Sequence, residues 1–172
     1  MRPAPNEHAA DYQQYIALVP DGDILATLAA QGRETVAMLA RLSEAQGDHR
    51  YAAGKWTLKE VVGHVIDTER IFACRALRFA RGDRTPIPGY EQDDYVRNAE
   101  SGARTLQSLI EEFEAVRRAT VLFFAGLSGA AWLRRGIANH NEMSVRAVAW
   151  VLAGHELHHR RALQEKYLSP TA

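Results

Sequence analysis

The sequence has little cysteine, no net charge and no long apolar run. Cys74 is the single cysteine among 172 residues, so no intrachain disulfide can form. Lysine and arginine total 21, and aspartate and glutamate also total 21, which gives no electrostatic reason to expect nucleic acid or an anionic membrane as a partner. No segment approaches the roughly 18 apolar residues that span a bilayer. Because the first residues also lack the apolar core of a signal peptide, we expect a cytoplasmic protein.

Convincing strand patterns are absent as well. Hydrophobic residues make up 47% of the chain, which is enough for one core of ordinary size, whereas two domains would be cramped. Apolar residues instead recur at spacings of three and four, as in amphipathic helices. The sequence therefore predicts one all-α domain spanning residues 1–172.

Four long segments carry this helical periodicity. The predicted helices cover about residues 24–42, 58–80, 103–127 and 145–167. Thr57 and Glu60 have capping-box spacing before the second helix, and Ser144 can cap the fourth. Ser169 and Pro170 would end that last helix.

The connections between these helices are long. Residues 82–98 include two prolines and two glycines followed by a polar stretch, and residues 132–141 form a second predicted loop. Residues 6–18 could form a short leader helix that must pack on the main body, because its length makes it marginal alone. The architecture that fits best is a four-helix bundle with long crossover loops.

Two histidines lie four residues apart within the apolar stripe of the fourth helix. His155 and His159 therefore point the same way and can chelate one divalent metal. The alternative is that both are ordinary buried histidines, each satisfied by a hydrogen bond. His158 points away from this stripe, which favours a flank or surface position.

A reactive metal needs a third protein ligand and an open position. The residues alone leave two candidates, His64 at the flank of the second helix and His140 in a loop. Glu69 lies on the second helix's apolar stripe, where an unpaired carboxylate is costly, so we expect an arginine or a histidine proton as its partner. Glu156 flanks the histidine stripe and is a candidate for proton transfer, although a solvated or interhelical carboxylate explains it equally well.

Residues 155–159 also match the H-E-x-x-H pattern of zinc proteases. That class needs a third ligand beyond the motif and an edge strand to hold a peptide. Only 13 residues follow His159, none is a histidine, and Glu165 is too close along the same helix to complete the shell. The pattern therefore does not indicate a peptidase.

Further residues could surround the site or form an interface. Trp150 and Leu157 form a second apolar strip opposite the two histidines, which predicts a homodimer contact. Four polar residues could line the open side of a metal site, although loop polarity explains them as well: Arg75, Tyr90, Asp93 and Asp94.

Three segments resemble the DinB-like superfamily of bacterial four-helix-bundle proteins. They are residues 56–70 (WTLKEVVGHVIDTER), 86–90 (PIPGY) and 153–159 (AGHELHH). In that family one histidine of the second helix and an H-x-x-x-H pair of the last helix bind a divalent metal. The resemblance implies that His64, His155 and His159 are the ligands in this chain.

The resemblance implies an activity less narrowly. Relatives include metal-dependent hydrolases and low-molecular-weight-thiol transferases and isomerases. We expect Zn²⁺ or Ni²⁺ to activate a water or a thiolate cosubstrate for attack on a small-molecule substrate. The alternative is a non-catalytic, dimeric metal-binding module, and fold alone does not decide between them.

Overall fold

The computed structural model describes residues 1–168, so the predicted helix end at Ser169 and Pro170 lies outside the described residues. The helices are α1 (Gln13–Ile16), α2 (Ile24–Leu39), α3 (Glu44–Gly47), α4 (Leu58–Ala80), α5 (Gln92–Ala99), α6 (Leu106–Ala125), α7 (Gly129–Trp132) and α8 (Val145–Ala162). A π-helical turn, Leu163–Tyr167, extends α8. Two strands, β1 (Arg135–Ala138) and β2 (Asn141–Ser144), form an antiparallel hairpin.

The four long helices form the predicted bundle. Helices α2 and α4 each pack against both α6 and α8. The core consists of two apolar clusters, one around Phe79, Phe124 and Trp150 and the other around Leu58 and Phe113. Along α4, α6 and α8 a layer of buried polar side chains lies between these clusters, and this layer holds the candidate site.

The predicted capping residues of α4 and α8 form the expected hydrogen bonds. Thr57 accepts a hydrogen bond from the Glu60 amide at 3.2 Å, and the Glu60 carboxylate accepts one from the Thr57 amide at 2.6 Å. Ser144 accepts from the Ala147 amide at 3.0 Å. Because these bonds satisfy amides that the first helical turn leaves free, they fix where α4 and α8 begin.

The two predicted loops contain regular structure that the sequence analysis missed. Helix α5 begins within residues 82–98 and ends at Ala99, and the β-hairpin occupies residues 135–144, so the expectation of a strand-free chain was wrong. The hairpin turns at Asn139 and His140, whose φ angles are 49° and 64°. Consecutive positive φ angles match the twist of a two-residue hairpin turn. Ile87 pairs its backbone with this hairpin, which draws the preceding loop against it.

The leader is a run of short turns rather than one helix. Two 3₁₀ turns, Pro5–Glu7 and Ala10–Tyr12, precede α1, which packs on α8. Gly154 makes this close approach possible, because a Cβ atom there would stand 2.0 Å from the Tyr15 carbonyl oxygen.

The leader also changes the interpretation of the outer face of α8. Trp150 is only 1% exposed, and the Arg2 guanidinium lies 4.5 Å from its ring centroid. The apolar strip that predicted a dimer contact is therefore largely covered within the chain, since the sequence pattern could not show what packs on it. No helix within residues 1–168 combines the length and apolar character needed to cross a membrane.

Candidate metal centre

Three histidines converge where α4 packs against α8. The His155 Nε2 atom lies 3.2 Å from His64 Nε2 and 3.1 Å from His159 Nε2. One ring nitrogen from each residue lies within 4.8 Å of the other two. The sequence predicted the His155 and His159 pair from its spacing, and the structure brings His64 to it across the helix interface.

Hydrogen bonding alone explains this arrangement poorly. An imidazole Nε2 carries either one proton or one lone pair in the ring plane, yet His155 Nε2 approaches two other nitrogens. Zinc binds imidazole nitrogen at about 2.0–2.1 Å, so tetrahedral ligands on one metal stand roughly 3.3–3.4 Å apart. Two of the three spacings, 3.2 Å from His155 to His64 and 3.1 Å from His155 to His159, are close to that value. The donor set therefore fits a late first-row divalent metal.

Aromatic rings and close helix packing hold the imidazoles in place. The Trp56 ring lies 5.0 Å from the His64 ring, and the Tyr15 ring lies 5.5 Å from the His155 ring. A glycine precedes each of these histidines. A Cβ atom at Gly63 would stand 2.1 Å from the Ser101 hydroxyl oxygen, much as Gly154 accommodates Tyr15.

Burial keeps the three imidazoles neutral. Desolvation lowers the pKa of His64 to about 4, against an opposing effect of the Asp93 charge. Burial, with smaller effects of neighbouring histidines, lowers the pKa of His159 to about 3 and that of His155 well below its ordinary value. At neutral pH each ring therefore has a lone pair available for a metal.

A cavity of about 320 Å³ opens beside His64 and His155. Of the four residues expected on the open side, Arg75 and Tyr90 line it. Asp94 instead pairs with Arg97 at 2.9 Å, and Asp93 lines a neighbouring cavity.

Two hydroxyl groups meet on the wall of this cavity. The Tyr90 hydroxyl lies 3.0 Å from that of Thr68, one turn beyond His64 on α4. Burial raises the pKa of Tyr90, so its phenol is protonated at neutral pH. Because the two groups share one hydrogen bond and carry two protons, one proton is free for a ligand.

Glu69 has an arginine as its partner, which was one of the two predicted possibilities. This arginine is Arg117, on α6. Arg117 also donates to the Glu156 carboxylate, and its Nη1 donates to the Leu28 carbonyl at 3.1 Å. The other Glu156 oxygen accepts a hydrogen bond from Thr35 at 2.5 Å. Both Glu156 oxygens are thus engaged, which favours a structural role for this carboxylate over the expected proton transfer.

The remaining histidine candidates lie elsewhere. His140 is exposed at the hairpin turn, and in the described chain it does not belong to the histidine cluster. His158 is exposed, as its helical position predicted, with its ring 5.5 Å from that of Tyr15. No pattern in the sequence indicated that Thr35, Tyr15 and Thr68 lie near the site. The glycines before His64 and His155 were the one signal of close packing there.

The fold and site together define a class of protein, a four-helix bundle with a three-histidine centre between two of its helices. A sequence profile of the DinB superfamily matches residues 27–163, a range that includes all three histidines. The chain therefore belongs to the DinB superfamily. A search of curated proteins gives no significant match.

Solved structures show the same fold. The chain is similar to YfiT from Bacillus subtilis, described as a probable metal-dependent hydrolase with an unusual four-helix bundle topology. The TM-score is 0.70 at 15% identity, with 96% of this chain and 90% of YfiT covered. It is also similar to a mycothiol-dependent maleylpyruvate isomerase, with a TM-score of 0.66 and 16% identity over 84% of this chain. This chain covers only 61% of that isomerase.

Proposed function

We propose that this protein binds one divalent metal, Zn²⁺ or Ni²⁺, through His64, His155 and His159. We propose that it is a metal-dependent hydrolase or a low-molecular-weight-thiol S-transferase acting on a small molecule. The convergence of three neutral imidazole nitrogens beside a cavity carries this proposal. One structural neighbour is described as a probable metal-dependent hydrolase, and the other as an isomerase that depends on the thiol mycothiol, which supports a metal-activated water or thiol.

The side chains at this site would have different roles. A metal held by the three histidines would supply Lewis acidity to activate water or a thiol. Thr68 and Tyr90 offer a hydrogen-bond donor to the ligand from the cavity wall. Arg117 keeps the backbone turn that contains Glu156 fixed next to His155, which orients the α8 ligands. A proton-transfer role for Glu156 would require it to leave Arg117 and Thr35.

The number of protein ligands favours catalysis over a purely structural metal. Structural zinc sites are closed by four protein ligands, whereas catalytic sites keep one position open. In the part of the chain that the structure describes, no fourth His, Cys, Asp or Glu joins the three histidines. A non-catalytic, dimeric metal-binding module remains the alternative, and a shell closed by a fourth protein ligand would support it.

The test is elemental analysis of untagged protein prepared without a nickel column. We expect near-stoichiometric metal in the wild type and its loss in His64→Ala and His155→Ala, with His140→Ala as the control that retains it. A wild type that contains no metal and takes up neither Zn²⁺ nor Ni²⁺ would refute the proposal.

The two reactions are separated by their need for a thiol. Turnover of an electrophile only when bacillithiol, mycothiol or glutathione is added would support the S-transferase. Ester or amide cleavage without thiol would support the hydrolase. Light scattering on the same samples tests the homodimer predicted from the sequence, and fractionation of cells tests the predicted cytoplasmic location.

A further inference from the structure

Arg75 is a buried cation that has neither a hydrogen-bond partner nor an ion-pair partner among the described residues. The residue is only 3% exposed, and its Nε atom is buried and has no hydrogen-bond partner. Throughout residues 1–168 nothing accepts a hydrogen bond from its guanidinium or forms an ion pair with it. Burying an unpaired charge is costly, so such a group calls for a function.

Two other buried cations of this protein differ from Arg75 because they form ion pairs. Arg117 contacts the carboxylates of Glu69 and Glu156, and Lys59 contacts two carboxylates at 2.7 and 2.8 Å. Each of these cations therefore has two acidic partners. Arg75 contacts aromatic faces instead, with its guanidinium carbon 4.7 Å from the centroid of Phe72 and 6.0 Å from that of Tyr90.

Arg75 also lines the cavity that adjoins His64 and His155. Long side chains on a helix lean toward its N-terminus, and the stacking of Arg75 on Phe72 agrees with this direction. The guanidinium therefore leans along α4 toward His64. A planar fork of N–H donors in this position matches a carboxylate, which it can bind through two parallel hydrogen bonds.

We infer that Arg75 binds the carboxylate of an organic-acid substrate whose other end reaches the three-histidine centre. The carboxylate would supply the acidic partner that Arg75 lacks within residues 1–168. The assignment of the reacting end rests on the proposed function, whereas the assignment of the anionic end rests on Arg75 alone.

The cavity also indicates the shape of the ligand. Arg75 follows His64 by eleven residues, which corresponds to about 16 Å along the helix axis before the side chains close part of the gap. The anionic end and the reacting end must therefore be several bonds apart. A volume of about 320 Å³ suits a small molecule, and Tyr12, Tyr15 and Phe72 give the cavity apolar walls.

Glu91 is the one acidic residue that lines this cavity in the described structure, and it is exposed and makes no ion pair with Arg75. An alternative is that Glu91 neutralises Arg75 in solution and leaves no role for a ligand. On our inference, Glu91→Gln strengthens the binding of acids slightly because it removes a competing charge.

The experiment compares two ligands of equal shape, 4-phenylbutyrate and its neutral amide 4-phenylbutyramide, by calorimetry on the metal-free protein. We expect the wild type to prefer the acid by about tenfold or more, as charge-assisted hydrogen bonds to arginine predict. Arg75→Gln should abolish the preference, whereas Arg81→Gln, a change at an exposed arginine just beyond α4, should retain it. A wild type without preference, or an Arg75→Gln variant that keeps it, would overturn the inference.

Thermal unfolding separates a binding role from a structural one. Arg75→Met should raise the melting temperature of the ligand-free protein, because it removes an unpaired buried charge. A lower melting temperature together with an unchanged preference for the acid would show that Arg75 is structural. His155→Ala should lose metal and keep the preference for the acid, so the failure of the metal proposal and the failure of this one give different results.

Discussion

The Nε and Nη2 atoms of Arg117, on α6, donate hydrogen bonds side by side to the carboxylate of Glu69, on α4. Its Nε atom lies 2.8 and 3.1 Å from the two carboxylate oxygens, and Nη2 lies 2.7 Å from one of them. Its remaining amino group reaches Glu156 of α8. One guanidinium thus links three helices through two buried carboxylates, between the two apolar halves of the core.

Replacing Arg117 with methionine should be strongly destabilising. The change leaves Glu69 and Glu156 buried without their cation, and breaking a buried pair in this way costs about 3–5 kcal/mol. Urea denaturation measures the free energy of unfolding. Arg118→Met, a change at the exposed neighbour, should stay within about 0.5 kcal/mol. A loss of less than 1 kcal/mol for Arg117→Met would show that the network contributes little.

The metal-free protein should lose stability as the pH falls below about 6.5. The pKa values of His64 and His159 are about 4 and 3 in the folded protein, below the ordinary histidine value near 6.5. The unfolded chain therefore binds more protons in this range, and the free energy of unfolding decreases toward acid. Each such histidine contributes roughly 1.4 kcal/mol per pH unit.

Denaturation of metal-free protein between pH 5.0 and 7.5 tests this dependence while most carboxyl groups remain ionised. His155→Leu should give a shallower dependence on pH, because one of the three buried imidazoles is gone. His140→Ala, a change at the exposed hairpin turn, is the matched control. Equal slopes for the wild type and His155→Leu would contradict the assigned burial effect.

Gly154→Ala should push the leader away from α8. Its new methyl group would meet the Tyr15 carbonyl oxygen at 2.0 Å, so the backbone must shift, at a cost of about 1–3 kcal/mol. The fluorescence of Trp150, which the leader covers, should change as well. Gly129→Ala is the matched control, since its added methyl group meets no atom within 4 Å. If both variants are equally stable, the close packing of the leader is not required.

Thr57→Ala should weaken the start of α4 by about 1 kcal/mol, because it removes the acceptor for the Glu60 amide. Thr57→Ser keeps that oxygen and should lie within a few tenths of a kcal/mol of the wild type. Chemical denaturation of the three proteins side by side makes the comparison. A Thr57→Ser variant as unstable as Thr57→Ala would show that the methyl group of Thr57, rather than its hydroxyl, stabilises the helix.

The sequence predicts the long helices well because periodicity and caps act locally. The bounds of α4 coincide with the prediction, and α2 and α6 are shorter by only a few residues. The hairpin has strands of four residues and depends on tertiary contacts, such as the Phe79 ring against Gly136. Such short strands leave no clear alternation in the sequence, and polar α5 leaves no apolar stripe.

The site, like the fold, was predictable from the sequence only in part. The spacing of His155 and His159 reveals a pair on one helix face, whereas His64 lies off the stripe of its own helix and was assigned from the family resemblance. The sequence offered Glu69 four arginine partners, which were Arg75, Arg78, Arg117 and Arg118. Only the packing of α4 on α6 selects Arg117. The helical spacing places Trp150 opposite the histidines, but no local pattern shows that Arg2 and the leader cover it.

Both the leader and the four-helix bundle contribute residues to the wall of the cavity. Tyr12 and Tyr15 form part of its wall and precede the range 27–163 that the DinB profile matches, while His64, His155 and His159 lie inside that range. Exchange of the first 20 or so residues would therefore alter the shape of the cavity and remove the Tyr15 ring from His155, while the three histidines themselves would stay in place in the sequence. On the proposed function, a change of the terminal segment would alter the range of substrates that fit, whereas the residues proposed to bind the metal belong to the bundle.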